Sequence, residues 1–150
     1  MKKLILPFLA ILVLAACNNN KSDKKANPLQ AEADSLEKLV VNGHDVAMPK
    51  SMKIPDLQKE AQRLIDSISA LPAKAQQTSA PLKAKLEELV SELNYAYKAM
   101  DKWMNEIDFD SAVNNIEQRI KYFTDENIKV NKVKDAVLNS IAKADSLLKK

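Results

Sequence analysis

Between positions 80 and 107 apolar residues recur at strictly alternating intervals of four and three: Leu82, Leu86, Leu89, Leu93, Ala96, Met100, Trp103 and Ile107. Such a seam, flanked by Val90, Tyr97 and Met104, predicts one amphipathic helix over about 80–107. Pro81 suits its first turn and Ser79 its cap. An earlier and longer stretch keeps the same rhythm: Leu29, Ala33, Leu36, Val40, Gly43, Ala47, Lys50, Ile54, Leu57, Ala61, Leu64, Ile68 and Leu71. Asn27 and Pro28 mark its start. Its middle, Gly43 to Lys50, lacks bulk, and Pro49 and Pro55 each remove an intrahelical donor, at about 3 kcal/mol in a helix interior. The pattern predicts a long helix over about 28–71, kinked or broken between about 43 and 55. A third stripe, Val113, Ile116, Ile120, Phe123, Val130, Val133, Val137, Ile141, Ala144 and Leu148, predicts a helix over about 110–148. Asp110 is its expected cap, and "TDEN" at 124–127 its weakest point.

Three amphipathic helices with short links predict an all-α fold: an antiparallel three-helix bundle or coiled coil over residues 28–149. Composition agrees. The 150 residues hold one Gly, too few for tight hairpins, and Ala, Leu, Lys and Glu favour helices.

The N-terminus changes the picture. "MKKLILPFLAILVLAAC" has a basic start, an apolar run from Leu4 to Leu14 and small residues before a Cys. Eleven apolar residues are too few to span a bilayer permanently. The pattern resembles a bacterial lipobox, which implies a signal peptide over 1–16 and diacylglycerol on the thiol of Cys17. Several acyl chains anchor stably, at roughly 0.8 kcal/mol per buried methylene. As the single Cys, Cys17 makes no internal disulfide and no Cys-based zinc site. "NNNKSDKKANP" then reads as a flexible tether over 17–27. Asn18 stands where an Asp would resemble an inner-membrane retention signal, so an outer-membrane lipoprotein facing the periplasm is expected. Losing Lys2 and Lys3 with residues 1–16, which hold no acid, lowers the formal charge from +3 to +1. A nearly neutral exported body gives no electrostatic case for nucleic acid.

The rare side chains cluster. The only His and two methionines lie in "GHDVAMPKSM" (43–52), and two more methionines flank the only Trp in "AMDKWM" (99–104). Antiparallel pairing of the first two helices sets Met48 level with Met104, Met52 level with Met100, and His44 close to Ile107. Three readings compete. Met, an adaptable side chain, fills gaps where a kinked helix packs badly, with Trp103 closing over them. Alternatively, His44, Met48, Met52, Met100 and Met104 form a soft-metal site for Cu(I) or Ag(I). A haem between His44 and a Met ranks third, because Cys-x-x-Cys-His is missing. The body is otherwise expected to need no cofactor beyond its covalent lipid.

No Ser-His-Asp geometry follows from one His beside Asp45, since adjacent helix positions diverge, and no Gly-rich phosphate loop exists. Catalysis is not expected. Ser35, Ser67, Ser111 and Ser146 each follow an Asp and precede an apolar residue, which resembles the O-glycosylation acceptor of some Gram-negative lineages; chance plus helix capping explains the same pattern.

"HDVAMPKSMKIPDLQKE", "AMDKWMNEI" and "ENIKVNKVKDAVLNSIAKADSLL" resemble a group of small Gram-negative lipoproteins often labelled "viral A-type inclusion protein". The resemblance covers about residues 36–148. The matching positions are His44-Asp45, Met48-Pro49-Lys50 and Met100 to Met104. The chain departs at Ser51 and Pro55, where the pattern leads one to expect Met or another helix former, and this weakens the metal reading. The label names no function, and the resemblance implies only a membrane-anchored helical protein; a structural or protein-interaction role with an envelope partner is the expectation for a helical bundle without catalytic groups.

Overall fold

A computed structural model describes residues 27–148, and they are all-α: α1 (Pro28–Ser51), α2 (Ile54–Ser69), α3 (Ala73–Glu106) and α4 (Ile116–Leu148). The signal peptide, Cys17 and all of the tether but Asn27 lie outside the described residues. Asn27 starts α1 as expected. Its Oδ1 accepts the Leu29 N–H at 3.1 Å, and Pro28 takes a first-turn position where its missing donor costs nothing.

Together α1 and α2 form the first rod of a three-rod bundle, broken at Met52–Lys53. Pro55 dictates the place. It has no N–H for the Ser51 carbonyl and its ring crowds that turn. Lys53 N–H therefore bonds Lys50 O at 3.0 Å, one residue short of the α pattern. Pro49 lies inside α1 and does not end it. At the break the seam takes Ser51 into the core in place of the expected Lys50, which stays exposed. A lysine there would bury an unpaired charge, whereas the Ser51 hydroxyl donates to Met48 O at 2.9 Å.

The second rod begins earlier than its seam suggests. α3 starts at Ala73, not near 80, so Ser79 is no cap and Pro81 is the ninth residue of the helix. Ala, Lys and Gln before Pro81 are strong helix formers, and the orphaned Gln77 carbonyl is on an exposed residue. The link shrinks to Ala70–Pro72. Gln76 locks it: its Nε2 donates to Ser69 O at 2.9 Å and Leu71 O at 2.7 Å, satisfying carbonyls at the end of α2.

The third rod begins later. Residues 107–115 form a looped connection in place of the expected link at 108–109. Asp110 does not cap α4. Its own N–H donates to Asp108 Oδ1 within the loop, and Asn115 Oδ1 accepts the Gln118 N–H instead. Ala112 takes a left-handed φ of 56°, which turns the chain before α4.

α2 packs along α3, α3 along α4, and α1 along α4, while α1 meets α3 only near its end. The ion pair Glu37–Arg119 and the contact between Gly43 and Val130 show α1 running parallel to α4; Glu88 against Lys143 and Trp103 against Glu126 show α3 antiparallel to it. The low bulk of the α1 seam now has a reason. Ala33, Gly43 and Ala47 are buried on one seam, and at Gly43, which faces α4, a Cβ would lie 2.9 Å from Val130 Cγ1. Small residues let the two backbones approach. Leu86, Leu89, Leu93, Phe123, Val130 and Val137 fill the shared core and are fully buried, each stabilising by roughly 1.5–3 kcal/mol. Leu82, near the start of the α3 seam, is left exposed. No helix among the described residues is long and apolar enough to cross a membrane.

Candidate functional site

Three of the rare side chains, His44, Trp103 and Met104, meet at the end of the bundle where α3 finishes beside α1. His44 on α1 stacks at a tilt over Trp103 on α3, ring centroids 5.9 Å apart. Val41, His44, Trp103, Met104, Ile107 and Phe109 line a cleft of about 360 Å³. His44 thus opposes Trp103, four residues short of Ile107. Adjacent helix positions usually diverge, yet His44 Nδ1 reaches Asp45 Oδ1 at 2.9 Å.

Trp103 forms the floor. Its indole N–H donates to Glu126 Oε2 at 2.9 Å, and Glu126 Oε1 accepts from Lys129 Nζ at 2.6 Å. Glu126 is buried although charged by type, and its partners supply what water no longer does. The carboxylate in turn pushes the Lys129 ammonium above its ordinary pKa, chiefly by accepting its hydrogen bond. The expected weak point at 124–127 is therefore continuous helix, with Glu126 occupying the seam position between Phe123 and Val130.

Arg119 holds the cleft's rim. Its guanidinium donates to Phe109 O at 2.9 Å, Ser111 O at 3.0 Å and Glu37 Oε2 at 2.8 Å, and sits 4.7 Å from the Phe123 ring centroid. Tyr122 Oη accepts the Asp108 N–H at 2.7 Å. Together they fix the loop that presents Ile107 and Phe109. Sequence periodicity missed Arg119, Glu37 and Glu126 because it scores apolar positions. The available signal was an acid standing on the α4 seam.

Of the five soft-metal donors, His44 and Met104 share the cleft. Met100 is buried in the core, Met52 is 68% exposed beside the helix break, and Met48 Sδ accepts a weak bond from Ser51 Oγ at 3.5 Å. Among the described residues no three His, Asp or Glu side chains gather as a metal site. Ser35, Ser67 and Ser146 are exposed within helices, and Ser111 is half-buried in the loop. Capping therefore does not explain the Asp-Ser pattern: three occurrences lie inside helices, and at the fourth Asn115, not Asp110, caps α4.

Residues 1–18 match the family described as the prokaryotic membrane lipoprotein lipid attachment site. The N-terminus carries the lipid attachment site of a bacterial lipoprotein. This lipoprotein matches no curated protein and no solved structure. A lipid attachment site ahead of an all-α body makes it a membrane-associated helical lipoprotein.

Proposed function

We propose that this lipoprotein is an envelope protein that works by holding a partner protein in the cleft at its bundle end, and that it performs no catalysis. The cleft carries the reading. Val41, Met104 and Phe109 leave large apolar surfaces in water around a preformed cavity with an aromatic floor. Such surfaces are unfavourable unless something covers them, and adaptable Met and aromatic side chains suit a pocket for a partner's apolar anchor. Attachment to the outer membrane through Cys17, with the body facing the periplasm, is in keeping with the attachment site and with Asn18 after the Cys. The side-by-side course of α1 and α4 suits a coiled coil that extends the body from the membrane, and the likeness to small lipoproteins labelled "viral A-type inclusion protein" implies no activity against this.

A photo-crosslinking residue at Val41 in living cells tests it. One discrete adduct is expected there and none with the same residue at exposed Lys59; equal smearing at both positions would count against a specific partner. Cys17→Ser should release or misprocess the chain, as read by membrane fractionation. Since His44 and Met104 share the cleft, a soft metal is the second reading. Anaerobic Cu(I) titration should show no tight site, and tight binding abolished by Met104→Leu would replace the partner-protein reading.

A further inference from the structure

A second concavity lies between α3 and α4, and its chemistry differs from that of the cleft. It encloses about 550 Å³ and carries four lysines, Lys98 and Lys102 on α3, Lys129 and Lys132 on α4. The antiparallel register that sets Trp103 against Glu126 and Glu88 against Lys143 puts Lys98 level with Lys132 and Lys102 level with Lys129. Two rungs of like charge therefore face each other, one helical turn apart. The lower rung is partly neutralised: Lys102 lies 3.8 Å from Glu106, and Lys129 pairs with Glu126. Lys98 and Lys132 pair with no carboxylate among the described residues. Ala99 lies between the rungs, Val133 just beyond the upper one and Trp103 just beyond the lower one, where the Glu106 carboxylate shares the lining with Lys102.

Like charges held on both walls of a groove focus a positive potential into it, and an apolar floor rewards removal of water. A bare anion would use the first and waste the second. A neutral apolar ligand would do the reverse. We propose that this groove binds a single anionic amphiphile, with a phosphate or carboxylate head between Lys98 and Lys132 and an alkyl or aryl part along Trp103 and Val133. The volume suits one small ligand. The site is separate from the partner cleft, although Trp103 contributes to both.

Because the chain has one Trp and it borders both the groove and the cleft, its emission reports binding at either, and the lysine and Val41 variants assign the signal. The experiment uses the full lipidated chain in phosphatidylcholine nanodiscs, titrated with hexyl phosphate. Saturable one-to-one binding is expected. Lys98→Gln with Lys132→Gln should weaken it at least tenfold at unchanged helicity, whereas the two Arg variants should retain it and Val41→Ser should leave it alone. Hexyl glucoside and inorganic phosphate should each bind at least tenfold more weakly. Competition in phosphatidylglycerol nanodiscs would assign the head to a membrane lipid, and its absence would assign a soluble amphiphile. No saturable signal, equal binding of hexyl glucoside, equal binding of inorganic phosphate, or indifference to the Gln pair would each overturn the proposal. Tighter binding of a helical peptide with glutamates four apart would overturn it in favour of a protein ligand.

Discussion

At the residue scale the most consequential contact is the one between Trp103 and Glu126. A carboxylate on an apolar seam is stable only because an indole N–H and Lys129 occupy its lone pairs. Removing one partner is costlier than removing both, because the survivor keeps its desolvation penalty. Trp103→Phe is therefore expected to lower stability by about 1–3 kcal/mol beyond the loss of ring contacts. Adding Glu126→Leu should recover a large part of that loss, since the replacement is apolar and of similar volume. Urea unfolding of the two variants and their parent measures the coupling; purely additive effects would mean that the bond contributes nothing. Periodicity brought Trp103 to the core and left Glu126 unexplained, since a scheme that counts apolar residues sees a gap where the structure has a polar lock.

Helix by helix, the seams were legible and the ends were not. Leu86, Leu89, Leu93, Ala96, Met100 and Trp103 are buried as their spacing predicts. Pro81 reads as a first-turn residue and so hides the true start of α3, because eight helical residues, Ala73 to Ala80, precede it, Ala, Lys and Gln among them. That makes Pro81 an interior proline on an exposed face. Pro81→Ala restores an N–H to the Gln77 carbonyl and should raise stability by about 1–3 kcal/mol, read as a higher urea midpoint with more helical circular dichroism; a lower midpoint would mean that the local geometry depends on the ring. Gly43 gives the opposite sign. Alanine there gains about 1 kcal/mol of helix propensity, but its Cβ would meet Val130 Cγ1 at 2.9 Å. Overpacking of a β-branched neighbour costs about 1–3 kcal/mol, so net destabilisation is expected. Gly43→Ala should become stabilising in a Val130→Ala background, where the new methyl fills the vacated space. If both backgrounds give the same sign, the close approach of α1 and α4 is not what keeps glycine at this position.

For the molecule as a whole, the partnering of rods was the least legible feature. Three seams of similar period do not say which helix lies on which, and the small residues of α1 read as a defect until α4 is placed against them. Besides the Trp103–Glu126 bond, a charge cluster far from the cleft ties α3 to α4: Lys143 reaches Glu88 at 2.9 Å and Glu92 at 2.8 Å. Lys143 holds the Glu88 carboxyl below its ordinary value of 4.5, and Glu92, then Glu88, hold the Lys143 ammonium above its ordinary 10.5. The signs differ at the two limits. A depressed carboxyl contributes stability that is present above its unfolded pKa and lost as pH falls through the folded one. A raised ammonium contributes stability present below its unfolded pKa and lost as pH rises through the folded one. Wild type should therefore exceed Lys143→Gln in stability by a constant margin between about pH 5 and pH 10, with the margin shrinking outside that window at both ends. The carboxylates are largely exposed and Lys143 is half-buried, so the margin is small and should fall further in 1 M salt, where the screening length is about 3 Å. Urea midpoints of the two proteins across pH, at low and high salt, decide it. A margin that ignores both pH and salt would assign the role of Lys143 to the packing of its alkyl chain between α3 and α4 rather than to its charge.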